Sequence, residues 1–218
     1  MSIVRLENIN KSFGVQHVLN DLNMEIQEGI ITVIIGPSGS GKSTILNLVG
    51  LLDKPTSGRV LLFDEVAPKP FSGKATQLLR DKIGYLFQNF ALVDNKSVEY
   101  NLKIALEHVK GNKREMIKEV LEEVGLEGFE KKKVYQCSGG EQQRIAIARL
   151  LLKPCDLVLC DEPTGSLDID NKHIIFDLLR KLKAQGKSVV VVTHDQDLVE
   201  IADAVLDLDE INNPQEDI

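Results

Sequence analysis

The sequence is poor in the features that would place a chain in a membrane or outside the cell. No apolar run approaches the roughly 18–20 residues that a membrane-spanning helix needs. The opening residues, Met1-Ser-Ile-Val-Arg-Leu-Glu-Asn8, hold no apolar core of the length a secretory leader uses. Cysteine is scarce. Cys137, Cys155 and Cys160 are odd in number and form no C-x-x-C pair, so neither a disulfide framework nor a metal knuckle is expected, and a reducing cytoplasm fits best. Cys160 closes an apolar run and reads as a small buried hydrophobe. Basic residues are outnumbered: 26 Lys and Arg face 33 Asp and Glu, a net charge of −7, which argues against a surface that binds nucleic acid. Internal repeats, low-complexity tracts and long heptad arrays are missing too. The expectation is a soluble chain that does not insert into a membrane itself and meets one only through a partner.

With 218 residues, 43% of them hydrophobic, the chain is long enough for a sizeable core in one domain carrying an insertion. Short apolar runs alternate with helical patterns, the mark of an α/β fold with a mostly parallel sheet. Ile30–Ile35, Leu157–Cys160 and Ser188–Thr193 are β-branched or apolar runs that predict buried strands. A helix is predicted over Ser43–Leu52. Another is predicted over Asn171–Ala184, with Ile174, Ile175, Leu178, Leu179 and Leu182 on its inner face and Gly186 stopping it. Residues 97–152 look helical almost throughout. Ile3–Ile26 and Arg59–Phe63 alternate as a small antiparallel sheet would. The domain plan is therefore a core with its antiparallel subdomain over about 1–88 and 153–210, a helical subdomain over about 89–152, and a flexible tail over 211–218.

The strongest local signal is Gly36-Pro37-Ser38-Gly39-Ser40-Gly41-Lys42-Ser43, followed by Thr44. It matches GxxxxGK[ST] and lies between a predicted strand and a predicted helix, the context the motif requires. Glycines let the backbone N–H groups turn inward onto phosphate oxygens, and the helix N-terminus adds partial positive charge. Lys42 would reach the β- and γ-phosphates, and the Ser43 hydroxyl would ligate Mg²⁺. Downstream, the apolar strand Leu157–Cys160 runs into Asp161 and Glu162. Carboxylates there stand at the ligand edge of a parallel sheet. Asp161 suits Mg²⁺, and Glu162 suits the role of general base toward an attacking water.

Between these motifs lies Cys137-Ser138-Gly139-Gly140-Glu141-Gln142-Gln143-Arg144, which resembles the LSGGQ signature of the ATP-binding cassette family. Other elements of that family fall in order. Gln88 resembles its Q-loop glutamine, a catalytic and metal-facing position. Ser166-Leu167-Asp168 resembles its D-loop, His194 its switch histidine, and Phe13 the aromatic residue that stacks on adenine. The resemblance spans about residues 2–208. It implies a P-loop NTPase core of RecA-like type with an antiparallel β-subdomain and an inserted helical subdomain. It also implies binding and hydrolysis of ATP with Mg²⁺. The residues carried over for catalysis are Lys42, Gln88, Glu162 and His194, and for the metal Ser43, Gln88 and Asp161. The nucleotide contacts are the phosphate loop from Gly36 to Thr44, Phe13, Ser138, Gly139, Gly140, Glu141 and Asp168. Cys137 and Glu141 depart from the usual leucine and glutamine, and Phe13 from the usual tyrosine. A phenyl ring still stacks, with little choice between bases.

One chain carries one phosphate loop and one signature, and the resemblance implies that two copies close head to tail on two ATP molecules. Leu86–Val93, Glu99–Leu102, the signature helix and Asp161–Asp168 resemble the lipoprotein-release and macrolide-export branch, with bacteriocin or peptide exporters nearest in the signature. The implied partner is a separate permease, which would hold the chain at the inner face of the cell membrane. Phe90, Leu92 and Val93 are either local core or the wall of a groove for that permease. A chromosome ATPase would need a long coiled coil and a ribosome-associated factor a second cassette. A cassette that signals across the membrane without moving a substrate stays open as the alternative.

Overall fold

A computed structural model of the chain describes residues 1–165 and 169–212. In chain order, β1 (Ser2–Phe13) and β2 (Gln16–Gln27) form a hairpin, and β3 (Ile31–Ile35) leads to α1 (Lys42–Val49). β4 (Ser57–Leu62), β5 (Glu65–Val66), α2 (Gly73–Asp81) and β6 (Ile83–Leu86) follow. Three helices come next: α3 (Val98–Ala105), α4 (Lys113–Glu123) and α5 (Gly139–Leu152). The chain then runs through β7 (Leu157–Asp161), α6 (Ile169–Ala184), β8 (Ser188–Val192), β9 (Ala204–Asp207) and α7 (Leu208–Asn212).

The strands sort into two sheets. The first is antiparallel, in the order β2-β1-β4-β5. On β2, Leu22, Met24 and Ile26 are buried while Asn23, Glu25 and Gln27 are exposed, the period-two pattern of a half-buried strand. The second sheet is parallel, in the order β6-β7-β8-β3-β9. Its central strands are apolar at almost every position, Thr32, Ser188 and Asp161 excepted, because both faces are covered. Val33, Val158, Cys160, Val189 and Val191 face the core shared with α3, α4, α5 and α6. Their alternates Ile34, Leu157, Leu159, Val190 and Val192 face α1 and the antiparallel sheet. Pleating sends neighbours to opposite faces, so a continuous apolar run is what a doubly covered strand needs.

The helical layer is set by caps and one buried cation. Ser97, Asn112 and Ser138 each accept a backbone N–H at the start of α3, α4 and α5, a contact worth about 1 kcal/mol apiece. At the other end of α5, the buried Lys187 donates through Nζ to the carbonyls of Leu150, Leu151 and Lys153 at 2.6, 3.3 and 3.0 Å. Those are the carbonyls that a helix leaves without partners. All three cysteines are buried and unpaired.

Several sequence expectations need correction. α1 stops at Val49, because Gly50 and the left-handed Leu51 (φ 56°) end it before Leu52. Within the helical stretch 97–152, α5 begins at Gly139, so Ser138 is its cap and Gly139-Gly140 its first turn. On α6, Ile174 is 37% exposed, and Phe176 joins Ile175, Leu178, Leu179 and Leu182 inside instead. The stripe is centred on Ile175 and Leu179, which leaves Ile174 at its margin. The antiparallel strands β1 and β2 run for 12 residues each. The tail does not start at 211, since α7 runs to Asn212; residues 213–218 lie outside the described residues.

Candidate functional site

Parallel register brings the motif residues to one edge. Ile34 pairs with Val192, and Val192 with Asp161, so the C-terminal ends of β3, β8 and β7 stand side by side. The residues just past these strands must then meet: Gly36 after β3, Glu162 after β7 and His194 after β8. Leu86 pairs with Cys160, which brings Gln88 to the same edge. Ser38, Gly39, Gly41, Lys42, Ser43, Thr44, Gln88, Asp161, Glu162 and His194 line one cleft of about 490 Å³, completed by Gln16 and Val18 from β2. The cleft therefore gathers every one of the four residues assigned to catalysis and all three assigned to the metal.

The phosphate loop has the backbone its glycines permit. Gly41 has φ 96° and would place a Cβ 2.6 Å from Leu19 Cδ2, so no side chain fits where the loop meets β2. Lys42 Nζ donates to the carbonyls of Gly36 (2.7 Å) and Pro37 (2.9 Å), which bends the lysine over the loop that it would share with a phosphate. Among the described residues, Ser40 Oγ is buried without a partner. A buried hydroxyl without a bond is costly, and an anion in the loop would supply the acceptor.

Ser43 Oγ donates to Asp161 Oδ1 at 3.2 Å. Burial pushes the Asp161 carboxyl above the usual carboxylate range; the Ser43 bond pulls it back, and the nearby Glu162 charge pushes it up again. A site with two carboxylates and this desolvation favours a cation. Hard oxygen donors in this number suit Mg²⁺ shared with phosphates, because Mg²⁺ uses one or two carboxylates rather than a protein cage. Among the described residues no three His, Cys, Asp or Glu cluster as a self-contained metal centre.

Glu162 is the strained member. Its φ is 48°, a left-handed conformation that a non-glycine residue holds only where its surroundings impose it. Its backbone N–H donates to Val192 O (3.0 Å). His194 Nδ1 donates to Glu162 Oε1 (2.8 Å), the tautomer a carboxylate selects, and the ring is 74% exposed. With Nδ1 on Glu162, Nε2 is the nitrogen left for a ligand. Thr193, Asp195, Thr164 and Lys172 form a hydrogen-bonded group behind this pair, which sequence reading missed; no motif marks it.

The remaining candidates stand elsewhere. Phe13 is 52% exposed at the end of β1, with Lys11 Nζ 4.6 Å from its ring centroid. It is not among the residues lining the cleft, though Gln16 across the hairpin is. Ser138, Gly139, Gly140 and Glu141 form the N-terminus of α5 and do not line the cleft either. Glu141 closes a capping box: its Oε2 accepts the Ser138 N–H (2.7 Å), while Ser138 Oγ accepts the Glu141 N–H (3.3 Å). Lys132 Nζ pairs with the same Oε2 at 3.1 Å. Asp168 lies outside the described residues.

A second groove, about 440 Å³, lies between the segment after β6, α3 and the end of α5. Its wall includes Phe87, Ala91, Ile104 and Arg149 but not Phe90, Leu92 or Val93. Phe90 and Leu92 pack against the core instead. Arg149 donates to the carbonyls of Ala91 (2.8 Å) and Phe90 (2.9 Å), holding two consecutive left-handed residues (φ 46° and 62°) in place.

A phosphate loop, an acidic strand end and a histidine on one parallel edge, with a capped Ser-Gly-Gly helix in an inserted helical layer, define a cassette-type ATPase. The chain belongs to the ABC transporter family, whose sequence profile matches residues 19–165. It is 37% identical over 217 residues to the macrolide export ATP-binding/permease protein MacB of Campylobacter fetus, covering 96% of this chain and 34% of that protein. The chain thus spans about a third of that relative's length. It is 36% identical to the lipoprotein-releasing system ATP-binding protein LolD 1 of Rhodopseudomonas palustris, covering 94% and 95% of the two chains. It is also 38% identical to the arginine transport ATP-binding protein ArtM of Bacillus subtilis, covering 98% and 92%. Among solved structures, the dimeric post-hydrolysis state of the ATP-binding cassette MJ0796 bound to ADP and Pi matches with a TM-score of 0.84 and 38% identity, over 94% and 93% of the chains.

Proposed function

We propose that this chain is the ATP-hydrolysing subunit of a transporter whose permease is a separate polypeptide, and that two copies close head to tail around two ATP molecules. One observation carries the reading. The Ser138–Glu141 helix start lines no part of the cleft that holds Lys42, Ser43, Asp161, Glu162 and His194. Two phosphate-suited elements that do not meet in one copy can meet between two, and a two-fold axis completes both sites at once.

Within that assembly the loop N–H groups and Lys42 bind the phosphates. Ser43, Asp161 and Gln88 would hold Mg²⁺, whose charge would offset that of the phosphates. Glu162 takes the proton of the attacking water, and His194 steadies Glu162 through Nδ1. The second groove is the surface for the permease, with Phe87, Ala91 and Ile104 as its apolar contacts. No helix among the described residues is long and apolar enough to cross a membrane, which suits a subunit that reaches the membrane through that groove, at the inner face. The likeness to MacB and LolD favours export of a peptide, bacteriocin, drug or lipoprotein; the equal likeness to ArtM makes cargo and direction matters for the permease to decide.

The test is sedimentation of the Glu162→Gln chain with Mg²⁺ and ATP. The expected result is a monomer that becomes a dimer on adding ATP, because a ligand that binds only the closed pair shifts the equilibrium toward it. An unchanged sedimentation coefficient overturns the shared-site reading.

A further inference from the structure

Thr193 follows β8 and is fully buried. A threonine hydroxyl has one proton to give and lone pairs with which to accept. The Asp195 backbone N–H donates to Thr193 Oγ1 (3.0 Å). With that donor on one side, the hydroxyl proton is directed to its other neighbour, Glu162 Oε2, at 2.9 Å. The His194 backbone N–H approaches the same oxygen at 3.4 Å. Both donors from the turn after β8 therefore fall on Oε2. The other oxygen, Oε1, meets the exposed His194 ring at the cleft.

The turn itself is held from behind. Asp195 Oδ2 accepts from Thr164 Oγ1 (2.8 Å) on the loop after β7, and it pairs with Lys172 Nζ (2.6 Å) on α6. Asp195 Oδ1 accepts the Asp197 N–H (3.1 Å). Three segments thus converge on the residue whose N–H orients the Thr193 hydroxyl. Glu162 needs such support, because its left-handed backbone (φ 48°) does not by itself fix where the side chain points.

We infer that Thr193 is a positioning residue that turns Glu162 Oε2 inward and presents Oε1 to the attacking water, with the Asp195–Lys172 pair bracing the turn behind it. Thr193 lines no part of the cleft; it acts through Glu162. The inference rests on the proposed role of Glu162 as base.

The experiment compares Thr193→Val, Thr193→Ser and Glu162→Gln in the full chain. It measures kcat and KM for ATP, ATP affinity by calorimetry, and the thermal midpoint. Valine keeps the shape and removes the hydroxyl. Thr193→Val is expected to lose about 10- to 100-fold in kcat, the scale of a misplaced reacting group, with ATP affinity within about twofold. Thr193→Ser is expected to recover most of the turnover. A Thr193→Val enzyme with normal kcat beside an inactive Glu162→Gln overturns the positioning role alone. Equal losses in the valine and serine variants, or a parallel loss of ATP affinity, also overturn it. Normal turnover in Glu162→Gln removes the base, and the inference with it. Should Thr193→Val not fold, Thr193→Ala is compared with Thr193→Ser on the same criteria.

Discussion

Glu162 Oε1 and His194 Nδ1 lie 2.8 Å apart although 32 positions separate the two residues. The contact is a consequence of sheet register. Asp161 pairs with Val192, so the first residue past β7 and the second past β8 emerge at neighbouring points on one edge. If these groups act on the attacking water, Glu162→Gln lowers hydrolysis by about 10²–10⁴-fold, the usual worth of a positioned base. His194→Ala also slows hydrolysis, by less, since Glu162 keeps its Thr193 bond. ATP affinity stays near wild type in both. Single-turnover hydrolysis together with calorimetry checks this, and near-normal turnover in Glu162→Gln would refute it.

Asp161 is expected to fail differently. It is bound to Ser43 rather than to the turn after β8, on the side of the cleft suited to a cation. Asp161→Asn should weaken ATP binding in Mg²⁺ far more than in EDTA. Glu162→Gln should show no such Mg²⁺ dependence. Titrations of both variants with and without Mg²⁺ decide the matter, and equal losses in the two would reject the division of labour.

Lys42 donates two short hydrogen bonds to its own loop, to Gly36 O and Pro37 O. Charge-assisted bonds to phosphate are worth about 1.5–3 kcal/mol each, so Lys42→Ala should lower ATP affinity by about 100-fold or more. Unchanged affinity by calorimetry would remove Lys42 from the phosphate site.

Glu141 makes the start of α5 sensitive to acid. Burial pulls its carboxyl upward, but the Ser138 N–H and Lys132 outweigh burial and hold it below the usual range. Its value is thus lower folded than unfolded. The stabilisation is present above the unfolded value and is lost as pH falls through the folded one. Wild type should lose more thermal stability than Glu141→Gln between about pH 5 and pH 3. Parallel melting curves over that window would count against the capping box as an acid-labile contact.

Gly84 sits in β6 with no room beside it. A Cβ there would lie 2.6 Å from Leu150 Cδ2 and 3.0 Å from Cys155 Sγ. Gly84→Ala should destabilise the chain by about 1–3 kcal/mol, the cost of overpacking a filled core. Chemical denaturation measures it; an unchanged midpoint would mean that Leu150 can move aside.

The elements legible in the sequence are those whose signal is local. The phosphate loop, the apolar run into Asp161 and Glu162, and the valine run before His194 each announce themselves within about ten residues. Elements without such a signal are not legible. β6 is four residues long with Gly84 inside it. β9 is an edge strand with Val205 41% exposed, so it lacks a buried strand's pattern. α2 fully buries only Ala75, with Leu78 and Leu79 half-buried beside it, a stripe of three residues that is too short for a periodic pattern to stand out.

The sequence by itself determined which chemical groups the protein owns and which strand or helix end carries the phosphate loop, Asp161, Glu162 and His194. Short-range pattern suffices for that, because a strand's pleat and a helix's turn are properties of adjacent residues. Tertiary structure alone decided that His194 meets Glu162, that Ser43 meets Asp161, and that Thr193 holds one oxygen of Glu162 and not the other. Those contacts join positions 32, 118 and 31 residues apart. They exist only once parallel register has aligned β7, β8 and β3 at a common edge, and no pattern of neighbouring residues encodes which carboxylate oxygen a hydroxyl reaches across that edge.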